Sequence, residues 1–127
     1  MPVTYHIDKI NKIVFVNAAG EFTAGVFRIH KRELADDSDF DPHYGVLFDL
    51  RSITEYRMSP GEKREWAVNS IFHKRARRAY LVPTDEVHGM IRMFFSLSDF
   101  DSDVIQIFRD MAEARRWLGL DQAKNSN

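Results

Sequence analysis

Val104 to Leu118, VIQIFRDMAEARRWL, decides the fold. Val104 to Phe108 is a mostly apolar run, rich in β-branched residues, of the kind that forms a buried strand, and the Arg109-Asp110 turn leads straight into a helical period. Asp110 is placed as N-cap with Glu113 three residues on, and Met111, Ala114, Trp117 and Leu118 fall on one face of the helix that follows. A strand feeding an amphipathic helix through so short a turn is a unit of an α/β domain.

Working back from this unit, the same alternation recurs. Val3, Tyr5 and Ile7 alternate with polar residues, and Ile13 to Val16 follows after a polar turn, which predicts a hairpin. Gly20 interrupts the pattern, and Phe22 to about Leu34 carries Val26, Phe27, His30 and Leu34 at helical spacing with Thr23 as cap. Past the acidic stretch and Pro42, Gly45 to Leu50 (GVLFDL) is a continuous apolar run suited to a strand covered on both faces. Ser59-Pro60-Gly61-Glu62 combines a serine cap, a proline at the first helical position and a returning glutamate. The helix it opens is expected to reach about Arg75, with Ala67, Val68, Ile71 and Phe72 inward. Ala79 to Val82 returns as a strand, and Thr84 or Asp85 caps a third helix ending near Leu97.

The predicted order is β-β-α-β-α-β-α-β-α, a single α/β domain over residues 1–120 with a five-stranded, mostly parallel sheet and one antiparallel N-terminal strand. Residues 121–127 lack an apolar anchor and are expected to fray. Ser-Asp-Phe-Asp occurs twice, at Ser38 to Asp41 and Ser98 to Asp101, each time in a helix-to-strand loop where a phenylalanine can turn inward.

Composition narrows the function classes. The chain has 127 residues, 44% hydrophobic and 29% charged, with no cysteine and a net charge of -1. It is the size of one globular domain and has no thiolate nucleophile, disulfide or sulfur-ligated zinc. The charge does not suit non-specific binding to a phosphate backbone, and no nucleic-acid partner is expected. No apolar run reaches the roughly 18 residues of a membrane span, and the N-terminus has no signal-peptide pattern, so a cytoplasmic location is the expectation.

The strand GVLFDLRS, the Ser-Pro-Gly-capped helix and the ending VIQIFRDMAEARRWLGL resemble the SpoIIAA-like branch of the STAS (anti-sigma factor antagonist) domain family. The resemblance rests on element order and on Asp49, Arg51, Phe108, Asp110, Ala114, Trp117 and Leu118. It implies a four-turn β/α superhelix with an extra leading strand, a non-enzymatic regulatory or protein-binding role, and frequent self-association. In the antagonists a serine of an Asp-Ser-Ser-Gly-like segment is phosphorylated. Ser59 matches that neighbourhood, but Met58 replaces the acid and Pro60 intrudes before Gly61, which favours a capping serine over a phosphorylated one.

Candidate site residues gather where a parallel sheet collects its loops, at the carboxyl ends of the strands. They are Asp49, Arg51, Ser59, Thr84, Asp85, His88 and Arg109, with Asp110 beside them. Asp85 and His88, three apart on a helix, could form a carboxylate-histidine pair, and the arginines could hold an anion. Capping or local ion pairing also explains most of this set. No metal site and no cofactor is expected. Asp37-x-Asp39-x-Asp41 and Asp99-x-Asp101-x-Asp103 start like calcium loops but lack the glycine and final glutamate, and His6, His30, His43, His73 and His88 show no ligand spacing. No phosphate loop or hydrolase elbow occurs.

His73-Lys74-Arg75-Ala76-Arg77-Arg78 is the one concentrated basic run. It suits a solvated helix C-terminus, an acidic partner or a phosphate surface. In the third helix, Met90, Ile91, Met93, Phe94, Phe95 and Leu97 spread over about 200° of a helical wheel, against roughly 100° for a core-facing stripe. The excess at Met90, Met93, Phe94, Phe95 and Leu97 calls for a homodimer partner, a small apolar or acyl ligand, or burial under neighbouring helices. An enzyme using Ser59, Asp85 and His88 is the third reading of the chain.

Overall fold

A computed structural model describes residues 3–68, 70–96 and 102–120. The predicted β1-β2 hairpin is present as β1 (Val3–Asp8) and β2 (Ile13–Thr23), paired antiparallel with Tyr5 opposite Val16. Then follow α1 (Ala24–Ala35), β3 (Gly45–Arg57), α2 (Pro60–Val68), β4 (Arg78–Leu81), α3 (Asp85–Ser96), a 3-10 turn (Ser102–Val104), β5 (Ile105–Phe108) and α4 (Met111–Trp117). The five strands lie side by side in chain order, and every pair after the first is parallel.

Sequential strand order sends each crossover the same way, so α1 and α3 pack on one face of the sheet. There Val14, Val16, Val46, Phe48, Leu50, Tyr80 and Val82 meet Phe27, Leu34, Val87 and Ile91 in the main core. The alternate residues point the other way, because successive side chains leave a strand on opposite faces. Leu47 and Ala79 there bury against Ala114 of α4, with Phe15, Phe108, Met111, Trp117 and Leu118 around them.

The two long strands exceed their predicted lengths. β2 does not stop at Val16: Ala18 and Phe22 stay buried, and Gly20 absorbs a register shift at φ +73°. A bulge with a glycine at positive φ adjusts the ladder without ending it. β3 does not stop at Leu50 but pairs with β2 as far as Arg57, while β4 accompanies it only to Asp49. The result is a two-stranded ribbon standing above the sheet.

α2 is shorter than predicted, ending at Val68 instead of near Arg75. Ser70 Oγ accepts from Phe72 N (3.1 Å), and the Arg78 guanidinium donates to the carbonyls of Ala76 (2.7 Å), His73 (3.1 Å) and Phe72 (3.3 Å). Those carbonyls turn toward Arg78, and the chain there forms a turn closed by Ala76 N donating to His73 O (2.9 Å). Phe72 is buried as expected and Ile71 partly so, whereas the side chains of Ala67 and Val68 lie outside the described residues.

Caps fall where predicted. Thr23 Oγ1 accepts from Val26 N, Thr84 Oγ1 from Val87 N, and the Asp110 carboxylate from Ala112 N. No helix among the described residues is long and apolar enough to cross a membrane.

Candidate functional site

The structure divides the predicted site residues into three separate groups. Asp49 lies on the α4 side of the sheet, level with Leu81 of β4 and, through it, Phe108 of β5. Its carboxylate accepts from Arg51 N (3.1 Å), Nε (3.0 Å) and Nη2 (2.9 Å). Burial opposes ionisation of Asp49, but the Arg51 bonds outweigh it and hold the carboxyl below its ordinary range. Arg51 is in turn held protonated by Asp49, with a smaller pull from Asp110.

The second group is Thr84, Asp85, His88 and Arg109, between β4, α3 and β5. Arg109 Nη1 pairs with the Asp85 carboxylate, and its Nη2 donates to Pro83 O at 3.0 Å. The ion pair ties the end of β5 to the start of α3. Asp85 thus bonds across the strand ends to Arg109 and not along its own helix to His88. His88 is half-buried in the first turn, with its amide donating to Thr84 O (3.0 Å).

Ser59 forms the third group, away from the other two. β3 continues eight residues past Asp49, about 26 Å of extended chain, before α2 begins. Ser59 closes the expected capping box: Glu62 N donates to Ser59 Oγ (3.2 Å) and Ser59 N donates to Glu62 Oε1 (2.9 Å). Glu62 also borders a shallow crevice between α1 and α2, lined by Ala24, Phe27, Arg28, Lys31, Met58 and Glu65. Arg28 bridges the mouth, donating through Nε (3.2 Å) and Nη2 (2.7 Å) to the Glu65 carboxylate. Burial lowers the Lys31 ammonium pKa, and its Nζ lies 5.8 Å from the Phe27 ring centre. Nearby, the Tyr56 hydroxyl is buried without a hydrogen-bond partner, and burial pushes its pKa up to about 12. Sequence reading missed this crevice because its walls meet only once the ribbon places α2 beside α1.

The basic run is dispersed by folding. Arg75 makes a two-pronged bond to Asp103 (2.9 and 3.0 Å), Arg77 donates to Trp117 O (2.7 Å) and lies 5.2 Å from its ring, and Arg78 is buried. These arginines bind loops and helix ends together.

Two histidines that showed no ligand spacing in sequence do meet. The rings of His43 and His73 stack with centres 4.6 Å apart. Among the described residues no three metal-ligating side chains converge. Of the calcium-like stretches, Asp37 instead accepts from the Tyr5 hydroxyl (2.7 Å) and Asp39 N (2.9 Å), and Asp99 and Asp101 lie outside the described residues.

On α3, Ile91 is buried, Met90 packs partly into the core and Met93 is 66% exposed. The side chains of Phe94 and Phe95, and Leu97 itself, lie outside the described residues, as do residues 121–127 and the whole second Ser-Asp-Phe-Asp copy. In the first copy, Phe40 turns inward and meets Phe72 edge-on at 5.4 Å.

No family model and no curated protein matches the chain by sequence. Among solved structures it is similar to an uncharacterised protein of the DUF3478 family with a SpoIIAA-like fold, from Shewanella loihica PV-4. The TM-score is 0.58 at 16% identity, over 91% of this chain and 93% of that one. The β/α order, the single antiparallel strand and this likeness agree: the chain has a SpoIIAA-like fold.

Proposed function

We propose that the chain is a non-enzymatic, STAS-like regulatory module that works through protein contacts in the cytoplasm, as a homodimer. One observation carries this reading. On a SpoIIAA-like fold, the polar residues at the strand ends are bonded to one another or used as helix caps: Asp49 to Arg51, Asp85 to Arg109, Ser59 to Glu62, Thr84 to Val87. Acyl or phosphoryl transfer needs a nucleophile and a base in mutual reach, and Ser59 stands apart from His88 and Asp85. The outer face of α3, with Met93 exposed, supplies an adaptable apolar contact. Sedimentation velocity checks it: the wild type should dimerise in the micromolar range and Met93→Glu should be monomeric. A wild-type monomer at high micromolar concentration defeats the dimer, and any turnover abolished by His88→Ala or Ser59→Ala defeats the non-catalytic reading.

The α1-α2 crevice favours a second reading, a carrier or sensor of a small apolar or acyl ligand seated on Ala24, Phe27 and Met58. Native mass spectrometry separates the two, since a carrier retains a co-purified small molecule and an interaction module gives the bare dimer mass.

A further inference from the structure

The crevice between α1 and α2 is built from one stripe of each helix. Phe27, Arg28 and Lys31 follow Ala24 by three, four and seven residues along α1, so the four share a face. Glu62 and Glu65, three apart on α2, stand opposite, and Met58 completes the lining. Ala24 and Phe27 are buried and give the crevice an apolar floor, while the half-exposed Arg28, Glu62 and Glu65 form its rim. It holds about 260 Å3 of free space, part of it open to solvent. Ligand pockets begin at roughly 300 Å3, so this one suits a short chain and not a long lipid.

The lining is formally neutral, but its two signs are unequally committed. Glu65 accepts two bonds from Arg28 (3.2 and 2.7 Å). Glu62 Oε1 accepts from Ser59 N at 2.9 Å, and its Oε2 lies 4.0 Å from Arg28 Nη2. The Arg28 bond holds the Glu65 carboxyl below its ordinary range, and the Ser59 amide does the same for Glu62. Both carboxylates are therefore ionised and already compensated. Lys31 is the converse case. Its Nζ lies 5.8 Å from the centre of the Phe27 ring, one helical turn back on the same stripe. Burial lowers its pKa, and Glu65 pulls the other way without restoring it, while Arg28 adds to the lowering. A partly desolvated ammonium beside an apolar floor gains from a further anion.

We propose that the crevice takes a short-chain carboxylate, with the chain on Ala24, Phe27 and Met58 and the head group on the Lys31 ammonium. A charge-assisted hydrogen bond is stronger than a neutral one, and here it offsets the desolvation of Lys31. Arg28 compensates Glu65, whose charge would otherwise repel the ligand. The inference rests on the reading of this crevice as the seat of a small apolar or acyl ligand, and adds the charge of its head group and the residue that receives it.

Titration of the isotope-labelled, tag-free full chain with octanoate, octanol and octylamine, followed by amide NMR shifts, tests it. Octanoate is expected to saturate one site with a Kd of about 0.1 to 1 mM, with the largest shifts in α1 and α2. Octanol and octylamine, of the same chain length, should each bind roughly tenfold more weakly. Lys31→Met keeps the apolar stem, so it should lose roughly tenfold for octanoate and leave octanol unchanged. Glu65→Gln removes a carboxylate and releases Arg28, so it should tighten octanoate binding, whereas loss of a merely structural ion pair would loosen it. Lys31 and Glu65 lie outside the buried core, and thermal melting shows that each variant folds. Octanol or octylamine binding as tightly as octanoate, or octanoate binding unchanged by Lys31→Met, overturns the carboxylate and leaves the apolar-ligand reading standing. No saturable binding of any of the three overturns both.

Discussion

Arg78 is the largest fully buried side chain among the described residues, at 1% exposure. Burial lowers its guanidinium pKa, with a smaller opposing pull from Tyr80, yet Arg78 remains charged because its hydrogens reach several main-chain carbonyls. Replacing it with Met leaves those carbonyls without their donor, a loss expected to cost about 3 kcal/mol in urea unfolding. His30 shows the converse case. It is 4% exposed, flanked by the rings of Tyr5 and Phe27, with Nδ1 unpartnered, and burial lowers its pKa from 6.5 to about 4. Its folded-state pKa is depressed, so the neutral ring's contribution is complete above pH 6.5 and is lost as pH falls toward 4. The shift corresponds to about 3 kcal/mol. His30→Phe, which keeps an aromatic ring there, should flatten the stability profile across that window.

At the scale of elements, the capping signals were the most legible part of the sequence. The Ser59-Glu62 box formed as written because it depends only on residues within one turn. Ser59→Ala should cost about 1 kcal/mol of stability, read as a lower melting temperature. Element ends were less legible. Gly20 looks like a terminator in one dimension, but β3 beside it supplies a partner that makes a bulge the better outcome. Nothing lies within 4 Å of a Cβ built at Gly20, so Gly20→Ala is strained only through its φ of +73°. About 1 kcal/mol of destabilisation is expected in urea unfolding, without loss of the fold. α2 ended early for a comparable reason: the chain beyond it turns so that the carbonyls of Phe72, His73 and Ala76 accept from Arg78 of the following strand, a partner that helical periodicity does not show.

At the scale of the whole molecule, one sheet serves two apolar layers of unequal size. Leu34 in the larger layer and Leu47 in the smaller are both sealed, at 0% and 1% exposure. Leu34→Ala and Leu47→Ala should each cost about 2 to 5 kcal/mol. Because both layers lean on the same strands, each change should lower a single unfolding transition, and the double change should sum within about 0.5 kcal/mol. Two separate transitions in calorimetry would show that the α4 layer unfolds independently.

The sequence by itself determined the order of elements, the parallel sheet with its one antiparallel strand, the helix caps and the inward face of α4. Those features follow from periods of two and 3.6 residues and from bonds within a single turn, which are local. Tertiary structure alone decided the ribbon that separates Ser59 from the strand ends, the dispersal of the basic run, the pairing of Asp85 with Arg109 instead of His88, and the meeting of His43 with His73. Each depends on which strands lie side by side and how far they run together, and no spacing along the chain encodes a contact made by two loops from different crossovers.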